Sequence, residues 1–274
     1  MTKAHRPLYA AGFTTAFGAH AIATNLGGST SLLVPGALLA LYDGAEVLLK
    51  PIFGSLFTVL AVLGAAVAVW AAVTVPVVPP LPKARQTIVD LARRLADRAF
   101  LTPAAALAAA TAALSVGVGF LPVSGRAAGL GPIATGAAVS VLAICAAFVQ
   151  PWAGRALDSG RLTLRTGLTA GLLLTAAGMA AAVLPGLAGL LVAAVLTGAG
   201  TGLITPLGFA ALAASTPPER LGQTMGSAEL GRELGDAGGP LLVAGVASLA
   251  TLSYGYAALA VLVAALIPFI RRHA

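Results

Sequence analysis

The sequence predicts an all-α polytopic membrane protein of about nine spans, and three observations carry that class. Of its 274 residues 58% are apolar and only 9% charged, with a mean hydropathy of +0.96, where a soluble domain carries about a quarter charged residues. Apolar runs of roughly 18 residues or more recur along the chain, each long enough to cross a hydrocarbon core of about 30 Å as a helix. No run alternates apolar and polar residues as the strands of a membrane barrel would, and a backbone in lipid must satisfy its polar groups within the segment. The lipid bilayer is therefore the first partner the sequence implies.

Taken in order, the elements begin with "MTKAHRPLYAAGFTTAFGAHAIA". This stretch imitates a secretion signal, but its apolar part is long and further spans follow, so a retained first span is expected over about 8–27. Residues 30–78 are a nearly unbroken apolar segment. One straight helix of that length would measure about 70 Å at 1.5 Å per residue, more than twice the membrane core. Two spans are expected instead, meeting near Pro51 to Leu56. Residues 1–78 thus read as a partial N-terminal helical half of about three spans, 79–99 as a basic cytoplasmic loop, and 100–274 as a six-helix C-terminal half. The six spans are expected at about 101–121, 131–151, 166–185, 188–213, 223–249 and 252–270.

Charge placement sets the sidedness. Lys83, Arg85, Arg93, Arg94 and Arg98 crowd the loop before the six spans. Arg155, Arg161 and Arg165 follow the second span, Arg220 the fourth, and Arg271 and Arg272 the sixth. The alternate links carry only Arg126, so both ends of the unit are expected to be cytoplasmic. Lys3 and Arg6 put the N-terminus on the same side, yet three spans separate it from the basic loop. Either a span is missing or one stretch does not cross.

The net charge of +7 does not indicate a nucleic-acid partner, because the basic residues are scattered among short links as topology signals. Cys145 is the single cysteine, so there is no intramolecular disulfide and no cysteine metal spacing. The chain has no His-Glu-x-x-His pattern, no phosphate-binding Gly-x-x-x-x-Gly-Lys and no Gly-x-Ser-x-Gly elbow. An enzyme is not expected, nor a cofactor or metal. Arginine exceeds lysine and alanine is abundant, a bias of the kind that GC-rich bacterial genomes encode, and the cytoplasmic membrane is the expected location.

Several stretches, in order, resemble the major facilitator superfamily. "QPWAGRALDSGR", Gln150 to Arg161, is similar to that family's loop motif Gly-x-x-x-Asp-Arg-x-Gly-Arg: Gly154 and Asp158 match, followed by Gly160 and Arg161, one residue short. "LTGAGTGLITPLGFAALAASTPPERLGQTMG" resembles the family's tenth span, and "GRELGDAGGPLLVAG" its Gly- and Pro-rich eleventh. "GALLALYDGAEVLLKPIFGSL" resembles its second span, which should end in the first copy of the loop motif. There the aspartate is replaced by Thr58, and the following residues resemble the sixth span. The resemblance implies nested three-helix repeats and the absence of the third to fifth spans, which would explain the odd count.

Within the spans, Asp43, Glu46 and Lys50 share an arc of roughly 60° on a helix. Glu229, Arg232, Glu233 and Asp236 form a second cluster on one face. An ionised side chain near the bilayer centre costs several kcal/mol or more unless it is paired or faces water. The resemblance places the second span against the eleventh, so a Lys50–Glu229 or Asp43–Arg232 contact is expected. These residues then read either as an ion-pair gate, one carboxylate carrying a coupling proton, or as a static polar network. His20 and Asn25 near the exit of the first span are weaker candidates for the cavity, with helix packing the favoured role. Gly198, Gly200, Gly202 and Pro206 read as close packing before cavity shaping.

Two functions follow. The first is a secondary transporter of a small solute, with protons as candidate coupling ions, working by alternating access. The alternative is an internally truncated, transport-inactive membrane protein of the same family. A monomer is expected, with a dimer completing the missing wall as the second arrangement.

Overall fold

A computed structural model of the chain describes residues 58–59, 61–70, 73–74 and 96–273. Six long helices occupy the C-terminal part: α1 (Arg98–Ala127), α2 (Pro132–Asp158), α3 (Leu164–Ala181), α4 (Gly186–Ala214), α5 (Leu221–Leu249) and α6 (Leu252–His273), with a 3-10 turn Pro218–Arg220 before α5. Ahead of them lies a short apolar helix, Ala61–Trp70, inside the third expected span. The first two expected spans, with His20, Asn25, Asp43, Glu46 and Lys50, lie outside the described residues.

Each boundary has a local cause. Asp97 caps α1 by accepting from the Ala99 amide at 3.1 Å, closing a donor that the first helical turn leaves free. Just past the end of α1 stands Gly129, whose φ of +78° suits a residue without Cβ. The amides of Gly129 and Leu130 then reach back to the Arg126 and Gly125 carbonyls, a Schellman closure. α2 opens on a proline at its first position, where a missing amide costs nothing. Thr163 and Thr166 close a reciprocal capping box at the start of α3.

A helix stands at each of the six expected places, with its ends within a few residues of expectation except that α1 runs on to Ala127 and α2 past Pro151 to Asp158. Among the described residues, five helices are long and apolar enough to cross a membrane: α1, α2, α3, α4 and residues 252–272 of α6. The remaining one, α5, has 29 residues, as many as α4. It falls outside that set because Glu229, Arg232, Glu233 and Asp236 lie within it.

Close approach between backbones orders the bundle. A Cβ at Gly198 would meet the Leu142 carbonyl and one at Gly202 the Ala146 carbonyl, so α4 runs parallel to α2. Gly235 and Gly239 of α5 sit in the same way on the Ala108 and Ala112 carbonyls of α1. Each of these parallel pairings joins a helix of the first three to one of the last three, so the same device is used twice between the two three-helix halves. Gly171 and Gly178 of α3 meet Gly200 and Thr197 of α4 in antiparallel sense. Helices in lipid gain little by hiding apolar surface from one another, so small residues that let backbones touch supply the packing. Around these contacts the core is alanine and leucine: Ala106, Ala113, Leu107, Leu142, Leu172 and Leu207 are buried. The glycines of α4 therefore serve close packing.

Candidate functional site

The charges of α5 diverge in surroundings although they share one side of the helix. Arg232 Nη1 donates to Glu229 Oε1 and Oε2, each at 2.9 Å, one turn back on the same helix. The arginine side chain is 22% exposed and the glutamate 45%. The guanidinium carbon lies 5.9 Å from the ring centroid of Phe209 on α4, within reach of the attraction between a cation and an aromatic face. Phe209 is buried, so it holds the arginine against the bundle while Glu229 neutralises it. Glu233 and Asp236 are exposed, away from the bundle interior.

The backbone beneath this cluster is tied down. Ser115 of α1 donates to the Asp236 carbonyl at 3.0 Å and to Ala112 O at 3.2 Å, beside the glycine contacts of Gly235 and Gly239. The exposed side of α5 also carries Leu230, Leu234 and Leu241. Carboxylates and leucines thus form adjacent strips on an exposed side that neither pure lipid nor pure water would suit, and such a side fits a neighbouring helix beside a wet cavity.

The loop motif differs from its expected form in one respect. Gly154 and Asp158 are in the last turns of α2 and not in the turn between spans. Arg155 Nε donates to the Pro151 carbonyl at 3.1 Å, and Ser159 N–H and Oγ close the helix end onto the Arg155 and Ala156 carbonyls. The turn itself belongs to Gly160, with φ +71°. Its amide meets Leu157 O, and the Leu162 amide meets Ala156 O, each at 3.0 Å. Asp158 and Arg161 are exposed and form no ion pair among the described residues. No group of three potential metal ligands forms among the described residues.

Glu229 and Arg232 meet each other; the Lys50 and Asp43 contacts expected for them involve residues outside the described part. Sequence reading missed Phe209 and Ser115. An aromatic inside an apolar run and a serine in an alanine-rich helix carry no signal of their own; only helix packing pairs them with α5.

A family model described as Major Facilitator Superfamily matches residues 104–273, more than half of the chain. The chain belongs to the Major Facilitator Superfamily. It is a multi-pass membrane protein, and α1 to α6 are the part this superfamily model covers. No curated protein matches. Among solved structures, a sulfate-bound crystal structure of a point mutant of the peptide transporter POT is similar at 18% identity and a TM-score of 0.48. The match covers 99% of this chain and 55% of that one, so this superfamily member spans about half the length of that transporter.

Proposed function

We propose that this superfamily member moves a small solute across the cytoplasmic membrane of a bacterium by alternating access, with protons as the coupling ion. The observation that carries this reading is the Arg232–Glu229 pair held against Phe209, with Glu233 and Asp236 exposed on the same helix. A bonded pair whose partners remain partly exposed can be exchanged for another pairing when helices shift, which is what a gate of ion pairs requires. Carboxylates without a cation among the described residues are the candidates for taking up a proton. Glu229 and Arg232 are assigned to gating, and Glu233 and Asp236 to coupling. Asp43, Glu46 and Lys50 are assigned to the facing helix, and His20 and Asn25 to the cavity margin. Gly160 and Arg161 are assigned to the turn that stabilises one conformation, and Gly154 and Asp158 to the helix end that leads into it.

The test is reconstitution of the full chain into proteoliposomes containing a pH-sensitive dye. A panel of sugars, organic acids and organic cations is added outside. Wild-type protein should give a dye response with at least one class, and Glu233→Gln or Asp236→Asn should remove it while solute binding persists. A folded, correctly inserted protein that is silent towards labelled solutes as well as the dye defeats the proposal. The second reading, a transport-inactive relative, would then stand, and Thr58 in place of the first loop-motif aspartate favours it.

A further inference from the structure

The arginines at one end of the bundle are unevenly served by acids, and their placement has a direction. α1 and α4 run antiparallel, since Gly208 meets Leu107 and Gly117 meets Thr197. α3 is antiparallel to α4 through the glycine contacts above, and α6 is antiparallel to α1, with Tyr256 Oη bonded to Ser124 Oγ at 2.8 Å. α6 therefore runs against α3, beside which it packs, and the start of α3 shares an end of the bundle with the finish of α6. Arg161 and Arg165 lie at the same end of the bundle as Arg271 and Arg272, and all four are exposed. None of the four guanidinium groups makes an ion pair or hydrogen bond with a described residue. Asp158, in the last turn of α2, is exposed and pairs with none of them.

The two outward faces share a design. On α3 the exposed positions are Arg165, Thr166, Leu173, Ala177 and Ala180; from Val261 onward on α6 they are Val261, Leu262, Ala264, Ala265, Pro268, Arg271 and Arg272. Each exposed side is largely apolar and carries arginine at the same end of the bundle. An aqueous ligand would have no use for the apolar sides, and neutral lipid would leave the arginines without a counter-charge. A phospholipid with a net negative headgroup satisfies both, its acyl chain along the apolar sides and its phosphate against the arginine fork.

We propose that the outer face formed by α3 and α6 binds an anionic phospholipid, with Arg165 and Arg272 as the principal phosphate contacts and Arg161 and Arg271 flanking them. This site is separate from the charges of α5 and does not depend on the chain being a transporter.

Native mass spectrometry of the full chain, released from micelles containing equal phosphatidylglycerol and phosphatidylcholine, tests it. Wild-type protein should retain phosphatidylglycerol in preference. Arg165→Gln with Arg272→Gln should weaken that retention roughly tenfold or more, given about 1 kcal/mol per basic residue at a lipid surface. Arg126→Gln, at the opposite end, should leave it unchanged. Circular dichroism and gel filtration of each variant separate lost binding from lost folding; if the double glutamine variant unfolds, the Arg165→Lys, Arg272→Lys variant should keep most of the preference. No preference in the wild type, or an equal loss in Arg126→Gln, overturns the proposal. So does displacement of phosphatidylglycerol by millimolar inorganic phosphate, which would mark a free-anion site.

Discussion

Arg232 and Glu229 stand one turn apart on α5, joined by two contacts of 2.9 Å from a single guanidinium nitrogen. The pair is made within the helix, so its first expected consequence concerns stability. A double-mutant cycle of Glu229→Gln and Arg232→Gln, read by thermal unfolding in detergent, should give a coupling of about 0.5–1 kcal/mol. The charge-reversed variant carrying both Glu229→Arg and Arg232→Glu should recover part of it. If the single effects simply add, the pair contributes nothing and its geometry is incidental.

The two glycine faces of α5 should respond oppositely. Gly235 and Gly239 lie on the Ala108 and Ala112 carbonyls, whereas Gly238 has nothing within 4 Å of a would-be Cβ. Gly239→Ala should destabilise the bundle by about 1–3 kcal/mol, the usual range for overpacking. Gly238→Ala should leave stability within about 0.5 kcal/mol of wild type. Equal effects would mean that α5 does not pack on α1 as described.

The loop motif contains one conformational glycine and one that is not. Gly160 has a φ of +71°, while Gly154 is helical with open space beside it. Gly160→Ala should cost about 1–2 kcal/mol, the penalty for placing a Cβ in the left-handed region. Gly154→Ala should be tolerated. A reversed order in melting temperature would move the turn to Gly154.

At the other end of the bundle, Tyr256 is buried and its hydroxyl lies 2.8 Å from Ser124 Oγ. Tyr256→Phe should lower stability by about 0.5–1.5 kcal/mol, the net worth of a typical hydrogen bond. The same substitution in a Ser124→Ala background should then cost less. Equal costs in both backgrounds would leave the hydroxyl without a share in holding α1 to α6.

Sidedness can be read with single cysteines on a Cys145→Ser background. Ser159 follows α2 among arginines, and Ala128 follows α1 at the opposite end. In intact cells, an impermeant maleimide should modify Ala128→Cys and spare Ser159→Cys. The opposite pattern would invert the bundle; labelling at both positions would refute a span at α2. The same reagent at Thr2 and Thr87 then decides whether the N-terminal part crosses an odd number of times.

The length and order of the six helices were legible because apolar span length, proline, glycine and capping residues are local properties of the chain. The departures are at C-terminal ends, where α1 runs on to Ala127 and α2 past Pro151 to Asp158. The charged cluster of α5 was legible as a cluster, since four charges in an apolar segment stand out on composition alone. Its internal arrangement was not. Helical spacing puts Glu229, Arg232, Glu233 and Asp236 on one side, but only packing against α4 and α1 separates the arginine held on Phe209 from the carboxylates left outside.

By itself the sequence determined that this chain lives in a bilayer, that its C-terminal part makes six helices, and which superfamily it resembles. It did so because hydropathy and helix ends depend on neighbours a few residues away. The tertiary structure alone decided which glycine meets which carbonyl and that Ser115 reaches Asp236 across 121 positions. It also decided that α6 packs beside α3, which puts Arg272 on the helix next to that of Arg165. Those outcomes depend on the relative direction and contact faces of helices distant in sequence, which no local pattern encodes.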